Sequence, residues 1–356
     1  NEGTLYLTNC AFLGNSSGTG GALSVQTPAP VINCTFSDNI STNGAGGGIA
    51  NYDTLTLNNC SFFANSVTND NGQGGGLLNS GILTMNNCTL YGNSTPNGSG
   101  GGIYNADTLT AANCTLADNA AANGSGGGLA SFTATNVLIN CTISSNSAAF
   151  GGGVVAVGLG SSAFALTNTV VAGNAAAQYP DFSASYSGAA NFIGGNPELA
   201  APGAYGGVTE TMPPLYFSPL IDAGTDWVTN ILAADQRGYP RLAGRHVDIG
   251  AVETQPAPAN NSPILRDTAW SSNGGEFATG TFRFSFTNVP NADFTVFSST
   301  NLWMPLNQWT VLGNARQVFF PGLYEFFAPV AATVYFTRTN YTDIFPPRQF
   351  YRVVSP

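Results

Sequence analysis

Lysine is absent from all 356 residues, and none of the nine arginines comes before Arg237. The only histidine is His246. Residues 1–236 therefore carry no cationic side chain at neutral pH. That excludes nucleic acid as a partner, because neutralising a phosphate backbone needs Lys or Arg on the docking face. Charge of either sign is scarce, at 8% of residues, while 43% are hydrophobic. This is the reverse of the charge-rich, apolar-poor signature of a disordered chain. No uninterrupted apolar run is long enough to span a bilayer as a helix.

The few charges are unevenly divided. Nine Asp and three Glu give residues 1–236 a formal charge of −12, whereas nine Arg against seven carboxylates give residues 237–356 a charge of +2. Such a partition bears on association rather than on fold, and it makes other copies of the chain the first partner to consider.

What the chain has in plenty is repetition, which is read before anything else. Six cysteines fall at Cys10, Cys34, Cys60, Cys88, Cys114 and Cys141, at intervals of 24, 26, 28, 26 and 27 residues. Each follows an asparagine (Asn9, Asn33, Asn59, Asn87, Asn113, Asn140), and a seventh copy, Asn168-Thr169, carries threonine in the cysteine position. A second asparagine file follows at Asn15, Asn39, Asn65, Asn93, Asn119, Asn146 and Asn174. Between copies lie GGGIAN from Gly46, GGGLLN from Gly74, GGGIYN from Gly100 and GGGLAS from Gly126, then alternating stretches such as TLTL at Thr54 and ILTM at Ile82. Three short strands in about 26 residues predict one rung of a right-handed parallel β-helix, an all-β fold.

Strand alternation turns Leu55 and Leu57 inward, and Cys60 and Phe62 resume inward after a bend at Asn58-Asn59. Equivalent residues then stack about 4.8 Å apart, so the asparagine files form amide ladders, and the glycines supply positive φ at tight corners. Six cysteines in a secreted chain would ordinarily mean three disulfides. Stacked neighbours, however, present parallel Cβ vectors, and the cysteines read as a reduced ladder of small apolar filler. No C-x-x-C pair exists to suggest zinc.

From about Gln178 the spacing loosens into NFIGGNPELA, SPLIDAGTD, AADQRGYPR and VDIGAVE. These segments resemble the closing region of bacterial surface proteins with a choice-of-anchor domain of the Q type, whose repeats are also similar to those of polymorphic outer-membrane proteins. The likeness covers residues 1–253 and implies a secreted or cell-surface β-helix. Asp222, Asp235, Arg237, Arg241, Asp248 and Glu253 form the one dense mixed-charge cluster. It reads as a structural closure in which the arginines pair with carboxylates. The alternative is a carboxylate site for Ca²⁺, the one metal to consider. His246 reads as a surface or capping residue.

Thr254 to Pro263 is a linker by composition. Residues 264–356 contain short aromatic and β-branched runs bounded by Pro, Asn or Gly, the pattern of a small antiparallel β-sandwich. FTVFSSTNL and the closing FYRVVSP resemble C-terminal modules of secreted proteins from Verrucomicrobia-like bacteria. Trp303, Trp309, Tyr324, Tyr335 and Tyr341 read as sandwich core with a few exposed rings, or as a platform for sugar or assembly.

Parallel β-helices also carry pectate lyases and polygalacturonase-like hydrolases, so fold alone does not decide activity. A lyase needs a basic residue, and the repeats have none. Hydrolysis needs two carboxylates. Asp53 and Asp107 sit at equivalent positions two rungs apart, and Asp38 matches Asp118, but no further acids cluster with either pair. No catalytic residue is assigned. The expectation is a non-enzymatic extracellular subunit that assembles head to tail, the C-terminal region of one copy covering the first rung of the next. A monomeric adhesin or carbohydrate-binding stalk, with surface polysaccharide as its partner, is the alternative. Asn1 opening inside a rung reads as a mature form whose leader has been removed. Of the N-x-S/T sequons, Asn97, Asn123, Asn260 and Asn340 lie where turns or linkers could accept a glycan.

Overall fold

The computed structural model describes residues 3–255 with their side chains, apart from Leu159, Tyr216 and Phe217, and the backbone of strands between Arg266 and Val354. The chain divides into two compact units, Asn1–Glu253 and Thr254–Pro356. Most of the linker, residues 256–263, lies outside the described residues.

The first unit is a right-handed parallel β-helix. Rungs are numbered here by Cys10, Cys34, Cys60, Cys88, Cys114, Cys141 and Thr169. Two sheets of eight parallel strands run the length of the coil. One contains Thr54–Asn58, Ile82–Asn86 and Thr108–Ala112, and the other Ser61–Phe63, Thr89–Tyr91 and Thr115–Ala117. A third sheet of seven strands follows the glycine blocks, as in Leu77–Asn79 and Ile103–Asn105. The reading of three strands per repeat is one short. A fourth ladder of short strands, among them Ser16–Thr19, Ile40–Ala45 and Ser66–Val67, follows the second asparagine file. Single bridges such as Ser66 to Ser94 and Ser94 to Ala120 continue it. These segments are polar and two to six residues long, so they lack the alternation that marks a strand in sequence.

Registry is residue on residue. Leu55 pairs with Leu83 and Leu83 with Leu109, while Phe36 pairs with Phe62 and Phe62 with Leu90. Identical side chains therefore meet along the axis. The rings of Phe12, Phe36 and Phe62 stack at 4.9 and 4.8 Å between centroids, within the range favoured for aromatic pairs. All four leucines and the two inner phenylalanines of this set are buried.

The glycine blocks divide their labour. The first glycine of each occupies the left-handed region, as at Gly74 with φ of 70°, where a Cβ is strained. The second faces the neighbouring rung, and a Cβ at Gly75 would lie 2.4 Å from the Gly101 carbonyl oxygen.

The two asparagine files also do different work. Asn9, Asn33, Asn59, Asn87, Asn113, Asn140 and Asn168 all have φ between 48° and 55°. They turn the corner between the two long sheets, and asparagine tolerates this conformation better than most residues. Their amides join only from Asn33 through Asn59 and Asn87 to Asn113, at 3.1, 3.2 and 3.3 Å. The second file is the continuous ladder. Each carboxamide from Asn15 to Asn146 donates to the next, through Asn39, Asn65, Asn93 and Asn119 to Asn174, at 2.8–2.9 Å. Each oxygen in the ladder also accepts the backbone N–H of the preceding asparagine, and Asp181 accepts from Asn174 at the far end. A third ladder links Asn51, Asn79, Asn105 and Asn136 at 2.7–2.9 Å. Its signal was present in the asparagine that ends each GGGxxN block, with Ser131 standing in where Asn136 takes over.

In the second unit the described strands form two antiparallel sheets. One joins Arg266–Ser272, Thr279–Thr287, Leu323–Ala331 and Arg316–Gln317, and the other Thr310–Asn314, Thr295–Ser299 and Phe350–Val354.

Replacement by glycine separates the two files. Asn87→Gly keeps the left-handed corner and should change stability by no more than about 1 kcal/mol. Asn93→Gly strands the buried Asn65 N–H and Phe62 carbonyl and should cost several kcal/mol, at about 1–3 per unsatisfied group. Chemical denaturation of both variants checks this order.

Candidate functional site

All six cysteines are free, and their polarity explains why the position is not simply leucine. The Cys60 and Cys88 N–H groups point at the sulfur one rung on, at 3.4 and 3.5 Å. Each thiol from Cys60 to Cys141 faces two carbonyls, one from its own rung and one from the rung before, such as Asn86 and Leu57 for Cys88. Thr169 reproduces the pattern, its Oγ1 accepting from Cys141 N and donating to Leu138 O. Burial pushes the thiols of Cys88, Cys114 and Cys141 well above their ordinary value. They stay protonated and unreactive.

Residues 199–253 leave the coil and fold back as a strap on the outer face of the cysteine sheet. Their partners lie on inner rungs, where the sequence reading places a closure of the last ones. Gln236 is a buried anchor. Its Nε2 donates to Thr89 and Thr209 hydroxyls at 2.8 and 2.9 Å, and its Oε1 accepts from Thr115 at 2.6 Å. Ala251 N–H donates to Thr142 Oγ1, and the Asn168 amide both donates to and accepts from the Thr225 backbone. Thr89, Thr115 and Thr142 are consequently buried, whereas their counterpart Thr35 in rung two is exposed.

The charge cluster is the core of this strap. Arg241 is fully buried and donates to the Gly250 and Ala251 carbonyls and, at 2.6 Å, to Asn113 Oδ1 of rung five. That contact ends the corner ladder. The next carboxamide, Asn140, is buried and has no hydrogen-bond partner among the described residues. Arg237 converges on a single oxygen of Asp235, Oδ2, through Nε and Nη2 at 2.9 and 2.7 Å, two donors that the guanidinium plane offers side by side and lysine lacks. Asp235 also accepts the N–H groups of Arg237, Tyr239 and Glu253. Glu253 accepts those of Ala243 and Asp248, and Asp248 that of Asp222. Burial lowers the Arg241 guanidinium from its ordinary value, opposed by Asp235, Glu253 and Asp248. Burial and then the Asp248 carboxylate push Glu253 up to about 8. Arg237 and Arg241 thus sit among the carboxyl groups of Asp235, Asp248 and Glu253.

These carboxylate oxygens point at N–H donors, and among the described residues no group of three or more His, Cys, Asp or Glu is placed to hold a metal ion. Asp222 caps the His246 N–H, and the exposed His246 ring meets Asp226 at 3.0 Å. Asp226 is held below its usual range, first by His246 and then by the Val247 N–H. Asp53 and Asp107 sit at solvent-side corners, engaged locally with Thr54 N–H and the Thr108 hydroxyl. Of the glycan candidates, Asn97 and Asn123 are exposed, but their Nδ2 atoms bond Asp70 and Asn97. Asn260 and Asn340 lie outside the described residues, as do Trp303, Trp309, Tyr335 and Tyr341, and the side chain of Tyr324 is not described.

One groove opens where the strap begins, with a volume of about 320 Å³. It is lined by Thr35, Ser37, Ser61, Phe63, Thr89 and Tyr91 from rungs two to four, and by Val208 and Glu210 of the strap. No sequence pattern announced it, because it joins rungs two to four to strap residues more than 110 positions further along the chain. Phe63 and Tyr91 stack at 5.3 Å with 18° between their planes.

Residues 1–176 match the family model described as right handed beta helix region. Comparison with curated proteins returns no match. The chain is a parallel β-helix repeat protein, a fold shared by enzymes and non-enzymes.

Thiol titration checks the ladder. In native buffer only the half-buried Cys10 should react with a thiol reagent, and all six should react after unfolding. The Glu253 shift carries a sign. A carboxyl whose folded pKa lies above its unfolded value gives stability that is complete below the unfolded value and lost as pH rises through the folded one. Melting temperature should therefore decline from about pH 5 to about pH 8, and Glu253→Gln should flatten that decline.

Proposed function

We propose that this protein is a non-enzymatic structural component of an extracellular or cell-surface layer, with copies associating head to tail. The observation that carries this reading is where the reactive groups are used. Five of the six thiols are buried in a ladder, and the cluster around Arg241 is consumed in holding the strap to the coil. The resemblance of the NFIGGNPELA to VDIGAVE segments to choice-of-anchor proteins supports a surface location. The division of charge, −12 before Arg237 and +2 from there on, supports attraction between copies. A monomeric carbohydrate-binding stalk is the second reading, favoured by the groove beside Phe63 and Tyr91.

Electron microscopy and light scattering of the full chain test the assembly. Fibres should form at low ionic strength and dissolve as salt screens the attraction, whose range falls to about 3 Å at 1 M salt. Monomers at every ionic strength and concentration would reject the assembly. Release of reducing sugar from a polysaccharide panel would overturn the non-enzymatic reading.

A further inference from the structure

The outward-facing file of the cysteine sheet reads Leu13, Ser37, Phe63, Tyr91, Ala117 and Ser144, each in register with the next. The strap buries the end of this file, with Ala117 at 0% and Ser144 at 3% exposure, but leaves its beginning open. One face of the Phe63 ring is covered by Tyr91. The other looks toward rung two, where the registered residue is only a serine. Beyond that serine stands Leu13, 63% exposed. Leu13 and Phe63 are two rungs apart, about 9.6 Å at the usual strand spacing. Ser37 fills little of that distance, so the file has a gap about one ring thick, with an apolar wall on each side and a hydroxyl floor.

The chemistry around the gap is that of a polyhydroxylated ring. Thr35, Ser37 and Ser61 place three hydroxyl groups along the groove, the Ser37 hydroxyl donating to the Asp38 carboxylate and keeping its lone pairs as an acceptor, and Glu210 adds a further acidic residue on the strap side. Burial, with Asp118 and Glu210 nearby, raises the Tyr91 phenol, whose hydroxyl pairs with the Asp118 carboxylate and leaves the ring as its contribution to the groove. No cation lines the groove, and none precedes Arg237 in the chain. Anionic ligands are disfavoured by Glu210 and by the net charge of this half. An open aromatic face, hydroxyl partners and a carboxylate acceptor suit the C–H face and hydroxyl rim of a pyranose.

We propose that this gap binds one pyranose ring of a neutral glycan, stacked on the free face of Phe63 above Ser37, with adjoining residues of the glycan running past Thr35 and Ser61 toward Glu210. This goes beyond the structural reading and survives its failure, since a monomer can carry the site equally well.

The test is calorimetric titration of the full chain with cellohexaose, xylohexaose, mannohexaose and chitohexaose, with hexagalacturonate as the anionic control. At least one neutral hexasaccharide should bind, and hexagalacturonate should not. Phe63→Ala should weaken binding about tenfold or more through loss of the stacking partner. Ser37→Phe is the sharper variant, because it adds a ring in register with Phe36's outward neighbour file and fills the gap. It should keep or raise the melting temperature while abolishing binding. Absence of binding by every neutral hexasaccharide at millimolar concentration overturns the proposal. So does binding that persists unchanged in a folded Ser37→Phe protein.

Discussion

The hydrogen bond between one rung and the next, in strict register, is the constraint on which everything else in this unit rests. In the two long sheets, parallel pairing without slippage places each strand residue opposite its own counterpart, about 4.8 Å away. Whatever a position holds, it must satisfy a copy of itself. Asparagine does this because one carboxamide supplies both a donor and an acceptor, so each ladder residue can give to one neighbour and receive from the other. Cysteine does it more weakly, through a thiol that faces carbonyls and a sulfur that faces an N–H. Phenylalanine does it by offset or parallel stacking, and glycine by having nothing that could collide.

That same constraint explains what the sequence made legible. A repeat that must match itself writes its period into the chain, so the Asn-Cys copies disclosed the fold, the rung length and the inward set of Leu, Cys and Phe. What stayed hidden was anything whose cause is not periodic. The fourth strand ladder is too short and polar to alternate. The corner and ladder asparagines look alike as letters, although one set is chosen for positive φ and the other for its amide. The Asn51 to Asn136 ladder was missed because it changes its sequence position in rung six. Arg237, Arg241 and the carboxylates near them were recognisable as a closure. That Arg241 would reach Asn113, Gln236 Thr115 and the Ala251 N–H Thr142 was not, because those contacts span more than 100 residues and leave no local mark.

The strap also shows how a solenoid acquires features that repetition cannot supply. Over the inner rungs it replaces solvent with Gln236, Arg241 and the carboxyl groups around them. Where it stops, the outer face changes from buried to open within one rung, and a groove results from the difference. The two surfaces are built from equivalent strands, and only the presence of residues 199–253 distinguishes them.

The order in which these contacts can form follows from chain connectivity. A rung closes on its predecessor after roughly 26 residues, a short loop by the standards of non-local pairing. The strap's bonds to Thr89, Asn113 and Thr115 instead join positions 121 to 147 apart, and they need rungs four and five already stacked in register to exist at all. A slip of one residue in any of those rungs would turn a threonine hydroxyl inward and leave the strap with nothing to hold. The bonds of Gln236 and Arg241 thus depend on register, because they are complete only where those rungs are stacked as they are here.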